Sequence, residues 1–482
     1  MKILFFKKHL ILSFFIICFN ICFSQCVTEV WGGARHCIAL RTDSTVWTWG
    51  AAFAIGDGSS IERDSPVEVH DTNNVGFLHS IIHVLSGEAF CYALKADGTV
   101  WSWGINGAPG FTGTLGDGVT TAETKLYPGP VILLDSVIAL GGRGYFSLCI
   151  RADSSVWGWG SNLGGAAFPG GGELGMDTAI SHGSVVAIRI NGIPQNARQV
   201  TGGGFHSLVL LSDHTLVAFG NNYFGELGVG DTTSRSVPTP VVGLSNVTMV
   251  SAGWQHTVAL RADSMVWTWG KNGGGELGTG DTLDRHSPVQ VTGLSGIIAV
   301  SGGDNSTLAL KSDGTVWAWG GNERGECGDG TNIKRLHPVQ VSGLTNIIYI
   351  TARDYHNVAI KGDGTLWSWG WNINGQCGLG TNNDTIWTPQ QVLVLGCTTT
   401  GIQSIPEHKQ FKVYPNPATT NISIESTEDG EINIYNVQGQ LMIKQFIQQG
   451  NKELDLRGFA KGIYILKFSN SSKTEVVKIV KE

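Results

Sequence analysis

Four histidines, His36, His206, His256 and His356, stand at one position of a recurring phrase. Histidine is the residue type best suited to metal ligation and to proton transfer near neutral pH. A metal site, however, needs ligands that converge within a few ångströms at a defined geometry. One histidine per copy does not promise that, and Phe90, Phe146 and Ser306 fill the same position in three other copies. A position that accepts phenylalanine is a packing position, so the four histidines are expected to be structural. The aspartates Asp97, Asp313 and Asp363 could act as acids, but each precedes a glycine and recurs with the phrase; turn formation explains them better. The chain has 67 glycines, and the run at 164–172 invites a phosphate-loop reading. It lacks the Lys-Ser/Thr that such a loop needs and opens no helix. No nucleophile stands paired with a base. No catalytic residue, metal or cofactor is expected.

The elements that would position these residues are strands. Residues 308–322 read LALKSDGTVWAWGGN. Asp-Gly between alternating apolar residues is a strong signal for a tight hairpin, with Leu308 and Leu310 on one face and Trp317 and Trp319 on one face of the partner strand. A lone hairpin is marginal in water. The phrase recurs as TVWTWG, TVWSWG, SVWGWG, TLVAFG, MVWTWG, TVWAWG and TLWSWG, closing on glycines 50, 104, 160, 220, 270, 320 and 370. Each period holds four β-branched or aromatic runs separated by Gly, Asp, Asn and Pro, such as 256–260, 289–291, 297–301 and the W-x-W run. Seven copies near 50 residues predict an all-β chain: a seven-bladed β-propeller, which leaves few exposed sheet edges. The W-x-W pairs should pack between blades, each ring burying on the order of 150–250 Å².

The runs VTGGGFHSLVL (200–210), VSAGWQHTVAL (250–260), GNNYFGELGVGD (220–231) and KNGGGELGTGD (271–281) resemble regulator-of-chromosome-condensation repeats. The resemblance extends from Cys26 to Cys397. It implies a seven-bladed propeller but no single activity, since that family includes a nucleotide-exchange factor, a light sensor and a secreted β-lactamase inhibitor. The light-sensing members use tryptophans in G-W-x-H-T motifs; only 253–257 matches here, so photosensing is not expected.

Residues 1–24 carry Lys2, Lys7 and Lys8, an apolar run at 10–19 and small Ser24 before Gln25. That pattern predicts a secretory signal peptide, too short and too interrupted for an anchor, and leaves no transmembrane helix in the mature chain. The propeller is placed at 25–397, followed by a polar linker at 398–410. The tail, 411–482, alternates apolar and polar residues around turn signals, as a small β-sandwich domain would. Its Tyr414-Pro415-Asn416-Pro417, Gly439-Gln440-Leu441, Gly462-Ile463-Tyr464 and final lysine-rich run resemble the C-terminal sorting domain of the type IX secretion system. The resemblance implies export, engagement of the type IX machinery, and release or attachment at the outer cell surface.

Residues 25–397 hold 19 basic against 30 acidic residues, −11 with histidine neutral. A nucleic-acid binder needs a basic face, so no nucleic-acid partner is expected. What remains is recognition, and loops rather than blades usually carry it. The loops after W-x-W-G are longest at 105–114 and 161–172, and each places a phenylalanine, Phe111 or Phe168, among small residues; Phe53 lies in the shorter loop of the first period. These three are the candidate ligand-binding residues. The expected function is an exported, non-enzymatic propeller that binds a protein or glycan outside the cell. Alternatives are an inhibitor that caps an extracellular or periplasmic enzyme, and a surface hydrolase whose site is not visible in the sequence.

A closure device is also expected. If 288–291 and 297–300 form a hairpin within one blade, aligning Pro389 with Pro288 and Val30 with Val300 brings the chain ends into one blade. Cys26 and Cys397 then share a position at the break, and exported proteins keep disulfides. A Cys26–Cys397 bond would add up to about 5 kcal/mol in the chain-entropy model. The mature chain has seven cysteines, so at least one stays unpaired within a monomer; Cys327 and Cys377 are expected to be buried thiols.

Overall fold

A computed structural model describes residues 27–393 apart from 73, 108–112, 166–167, 170 and 178–181, and residues 411–481 apart from 415–417, 427, 437–440, 460–461 and 471–473. The chain divides into two compact units, one ending at Thr400 and the other beginning at Gly401. The expected signal peptide, Cys26, Phe111, Cys397 and the linker lie outside the described residues.

The first unit is a series of seven four-stranded antiparallel sheets, at 27–68, 81–130, 137–189, 197–240, 247–290, 297–340 and 347–391. We number them one to seven. In sheet six the strands Ile297–Gly302, Ser306–Lys311, Val316–Gly320 and Arg335–Gln340 pair in sequence order. The inner strand of sheet one, Val27–Gly32, packs on the first two strands of sheet seven, Ile347–Arg353 and His356–Lys361, so the series closes on itself.

The Asp-Gly phrase makes the expected hairpin between the second and third strands. Asp313 Oδ1 accepts from Thr315 N at 3.0 Å and from its hydroxyl at 2.6 Å, while Gly314 takes φ 79°. That left-handed angle costs glycine nothing. Sheets one, three and five put Ser44, Ser154 and Ser264 there instead, at φ 62–64°. The aspartate is thus a turn cap. Leu308, Leu310, Val316 and Ala318 face sheet seven in one apolar cluster, whereas Trp319 and half-buried Trp317 face sheet five in another.

The two tryptophans of a pair do different work. The second is fully buried in six sheets, and its indole reaches the neighbouring sheet: Trp319 Nε1 donates to Glu276 O at 2.8 Å and Trp369 Nε1 to Glu326 O at 2.9 Å. Burying about 200 Å² of ring is worth roughly 5 kcal/mol of gross transfer free energy at about 25 cal/mol per Å². The glycine of the L-G element seats that ring. A Cβ on Gly328 would lie 2.8 Å from Trp369 Nε1, and its φ is 59°. The first tryptophan, expected to pack between sheets as well, is half-buried under a cation of its own sheet, such as Lys95 over Trp101 at 4.0 Å.

The closure device is corrected. Residues 288–291 and 297–300 do not share a sheet: Arg285–Gln290 is the outer strand of sheet five and Ile297–Gly302 the inner strand of sheet six. Likewise Val27–Gly32 pairs within sheet one and Thr385–Gln391 within sheet seven. Among the described residues no sheet mixes the two chain ends, and sheets one and seven meet by packing. Pro288 explains why: with no N–H it suits an outer edge and would break a ladder paired on both sides.

The second unit holds the sheets Phe411–Tyr414/Asn421–Ser426/Gly450–Asp455 and Leu441–Ile447/Gly430–Asn436/Gly462–Ser469/Thr474–Lys481. They enclose one apolar core containing Ile422, Ile424, Ile432, Ile434, Leu466 and Phe468. Among the described residues no helix is long and apolar enough to cross a membrane.

Candidate functional site: one end of the propeller

In each sheet the loop between strands one and two and the loop between strands three and four emerge at the same end, opposite the Asp-capped turns. At this end the loop between strands one and two carries three residues before the repeat histidine position, and their identities change from sheet to sheet. They place two arginines and three carboxylates near one another. Arg143, fully buried, donates to the carbonyls of Gly302 at 3.0 Å, Gly303 at 3.3 Å and Ala252 at 3.4 Å, and pairs with Asp304. Arg353 donates to Ser86 O at 2.6 Å and Gly142 O at 3.4 Å. Glu88 completes the group, pushed up to about 7 by burial first and by Asp304 second, and Asp354 is held well above the carboxylate range by the same two causes. Side chains from sheets two, three, six and seven are thereby tied together by charge.

Around this cluster the four histidines form bonds between sheets. His36 Nε2 lies 2.6 Å from Ser86 Oγ, His206 Nε2 is 3.1 Å from Thr257 Oγ1, His256 Nε2 is 3.0 Å from Thr307 Oγ1, and His356 Nε2 is 3.2 Å from Cys37 Sγ. Burial is the main cause that lowers all four to pKa values of about 3, so they are neutral. Neutral, spread over separate sheet junctions and engaged with three hydroxyls and one thiol, they have the geometry of packing residues.

The concave feature of this end lies over sheets five to seven. It is a cleft of about 420 Å³, bordered by Lys271, Arg324, Lys334, Tyr355, Trp371 and the glycines 273, 274 and 321. Trp371 ends the third strand of sheet seven. Tyr355 meets it edge-on at 5.9 Å, and two guanidinium groups approach its ring at 5.5 Å, Arg35 from sheet one and Arg324 from sheet six. The repeat motif N-x-x-G-E shapes the wall. Asn322 Oδ1 accepts from Cys327 N at 2.8 Å and its amide donates to Thr331 O at 2.9 Å, which pins the loop at both ends. Glu326 Oε2 accepts from Arg324 N at 2.8 Å, and burial pushes that carboxyl up to about 7. The two residues between Asn and Gly are left free to vary, so Arg324 stands on a locked backbone. The volume and the mixture of rings with a few charged groups suit ligand binding.

The expected binding residues lie elsewhere at this end. Phe53 sits in the loop between strands three and four of sheet one, half-buried against the core and edge-on to His36 at 6.0 Å, so it packs rather than stands free. Phe168 lies in a two-residue strand paired with Gly165. Trp371 is one of four tryptophans outside the W-x-W pairs, with Trp31, Trp254 and Trp387. Its position holds Ala51, Ile105, Ser161, Asn221, Lys271 and Gly321 in the other copies, and that departure was the available signal. Cys327 and Cys377 are buried thiols as expected, and Cys37, Cys91 and Cys149 are buried and free as well.

Comparison with known proteins follows this geometry. Residues 172–406 match the RCC1-like domain family, and residues 412–482 match the secretion system C-terminal sorting domain. The ultraviolet-B receptor UVR8 of Arabidopsis thaliana is 30% identical over 225 residues, 45% of this chain and 46% of that protein. The E3 ubiquitin-protein ligase HERC2 of Homo sapiens is 29% identical over 219 residues, 44% of this chain and 4% of that protein. The chain therefore spans half or less of these relatives. Among solved structures, one chain of the crystal structure of Kap60 bound to yeast RCC1 (Prp20) gives a TM-score of 0.62 at 19% identity, covering 81% of this chain and 86% of that one. Human WBSCR16 gives 0.61 at 22% identity, covering 73% and 94%. These likenesses show the fold. The sorting domain marks the chain for secretion or for attachment to the outer cell surface.

Proposed function

We propose that this chain, an RCC1-type repeat propeller carried by a type IX secretion sorting domain, is a non-enzymatic binding protein that works outside the cell. Its recognition surface is the propeller end that bears the loops between strands one and two and between strands three and four. The observation that carries this reading is Trp371, a half-buried ring approached by guanidinium groups from two other sheets and set in a cleft of about 420 Å³. A scaffold needs no such assembly, because stability is already supplied by the second tryptophan of each pair. Other features of the same end support binding over turnover. The histidines are neutral and occupied between sheets, and the buried carboxylates are tied to arginines or backbone N–H groups.

The partner is an extracellular protein or glycan, and the sorting domain engages the type IX machinery on the way out. Capture with the full chain against outer-surface proteins and polysaccharides tests the reading. Material retained by the wild type and lost with Trp371→Ala supports it. Turnover of a glycan or ester panel by the purified chain would overturn the non-enzymatic assignment.

A further inference from the structure

The residues around the cleft are specific enough to name a ligand class, on the premise that this end of the propeller binds. The propeller segment carries a net charge of −11, yet Arg35 and Arg324 stand over one indole, and Lys271 and Lys334 line the cleft that this indole and Arg324 border. Among the described residues only Arg324 of these four has a carboxylate within ion-pair distance, Asp384 at 3.5 Å on the rim. Lys271 reaches the amide oxygen of Asn305, at 3.4 Å, and stands over the Phe224 ring at 5.7 Å, and Lys334 reaches Gly273 O, at 3.5 Å. Cations that lack carboxylate partners are available to an anion, and guanidinium matches a carboxylate in geometry as well as in charge.

Two further groups are unsatisfied. Among the described residues Trp371 Nε1 has no hydrogen-bond partner, and neither has Oε1 of Glu276, a residue only 1% exposed that borders the same cleft. Leaving a buried polar atom unpaired is costly, so a ligand that supplies both an acceptor and a donor gains from both. A hydroxyl does that; a carboxylate only accepts. The rings of Trp371 and Tyr355 supply the apolar part of the lining.

We propose that the cleft binds a carboxylate-bearing saccharide, an acidic sugar unit of an extracellular polysaccharide or glycan, with the carboxylate toward Arg35 and Arg324 and ring hydroxyls toward Glu276 and the Trp371 N–H. An acidic peptide fits less well. Its Asp and Glu side chains offer a carboxylate but no ring hydroxyl for Glu276 Oε1 and the Trp371 N–H. The cleft is also framed by loops, so an extended peptide meets no strand edge to pair with.

Calorimetric titration of the full chain tests this with tetragalacturonate, tetramannuronate and sialyllactose, the methyl ester of tetragalacturonate, and polyglutamate. The expected result is binding of at least one acidic saccharide that weakens with added salt and falls at least tenfold in Trp371→Ala and in Arg35→Gln/Arg324→Gln. The variants should keep the wild-type melting temperature. Esterification of the bound saccharide should cost a similar factor. Binding of none of the acidic saccharides, equal binding of a saccharide and its ester, equal or tighter binding of polyglutamate, or wild-type affinity in Trp371→Ala would each overturn the inference. If the saccharides fail while Trp371→Ala still abolishes capture of an outer-surface protein, this inference falls and the proposed function stands. Capture insensitive to Trp371→Ala would sink both.

Discussion

The rings of Trp371 and Tyr355 meet edge-on, with centroids 5.9 Å apart and planes at 87°. Both belong to sheet seven, but the cations over Trp371 come from sheets one and six. The cleft is lined from sheets five to seven, and ring closure adds Arg35 to its tryptophan, since the first sheet packs on the last.

Trp371 is half-buried and has no hydrogen bond to lose, so Trp371→Ala should weaken ligand capture at least tenfold while shifting the melting temperature little. The double change Phe111→Ser/Phe168→Ser should leave capture unchanged if the cleft carries recognition. Paired capture and thermal-unfolding measurements check both; the reverse pattern would move the site to the long loops of sheets two and three.

Arg143 is fully buried and satisfies three carbonyl groups and Asp304. Arg143→Met should strand those groups and cost about 3–5 kcal/mol of stability, as removing one member of a buried pair does. Denaturant unfolding measures it. A loss below about 1 kcal/mol would show that the central charge cluster is not a structural tie.

The histidines predict acid lability. Their pKa falls from 6.5 in the unfolded chain to about 3 in the fold, so the unfolded state takes up protons first. Stability is fully present above about pH 6.5 and is lost as pH falls toward 3, by about 2 kcal/mol per histidine at pH 5. His206→Phe/His256→Phe, which installs the residue type of Phe90 and Phe146, should flatten this loss when unfolding is compared at pH 7.5 and 5. An equally steep loss in the variant would place the acid sensitivity elsewhere.

Val27 and Val392 share one apolar cluster, one residue from Cys26 and five from Cys397. Closure by packing thus still brings the flanks of the two cysteines together, and a Cys26–Cys397 bond is expected in the exported protein. Non-reducing peptide mapping should find it, with the five buried thiols alkylated only after denaturation. Free Cys26 or Cys397 would contradict it.

Much of the fold was legible because it is local. Asp313-Gly314 fixes a hairpin through one side chain and one backbone angle, and the period repeats that hairpin until a propeller is the economical solution. Which strands pair across 291–296 was not legible from adjacency, since a short connection serves a hairpin or a step to the next sheet equally well. Pro288 held the clue, as a residue without an N–H belongs at an edge. The cleft was less accessible still. Trp371 could be seen as a departure from the repeat, but Arg35 is separated from it by 336 positions, and only closure of the ring joins them.

The most direct measurement is hydroxyl-radical footprinting of the full chain with and without captured outer-surface material. It reads both ends of the propeller at once, whatever the chemistry of the ligand. The account predicts protection of Trp371 and Tyr355, with Trp47, Trp101 and Trp367 beside the Asp-capped turns unchanged. Protection of Trp47, Trp101 and Trp367 with none at Trp371 would contradict it.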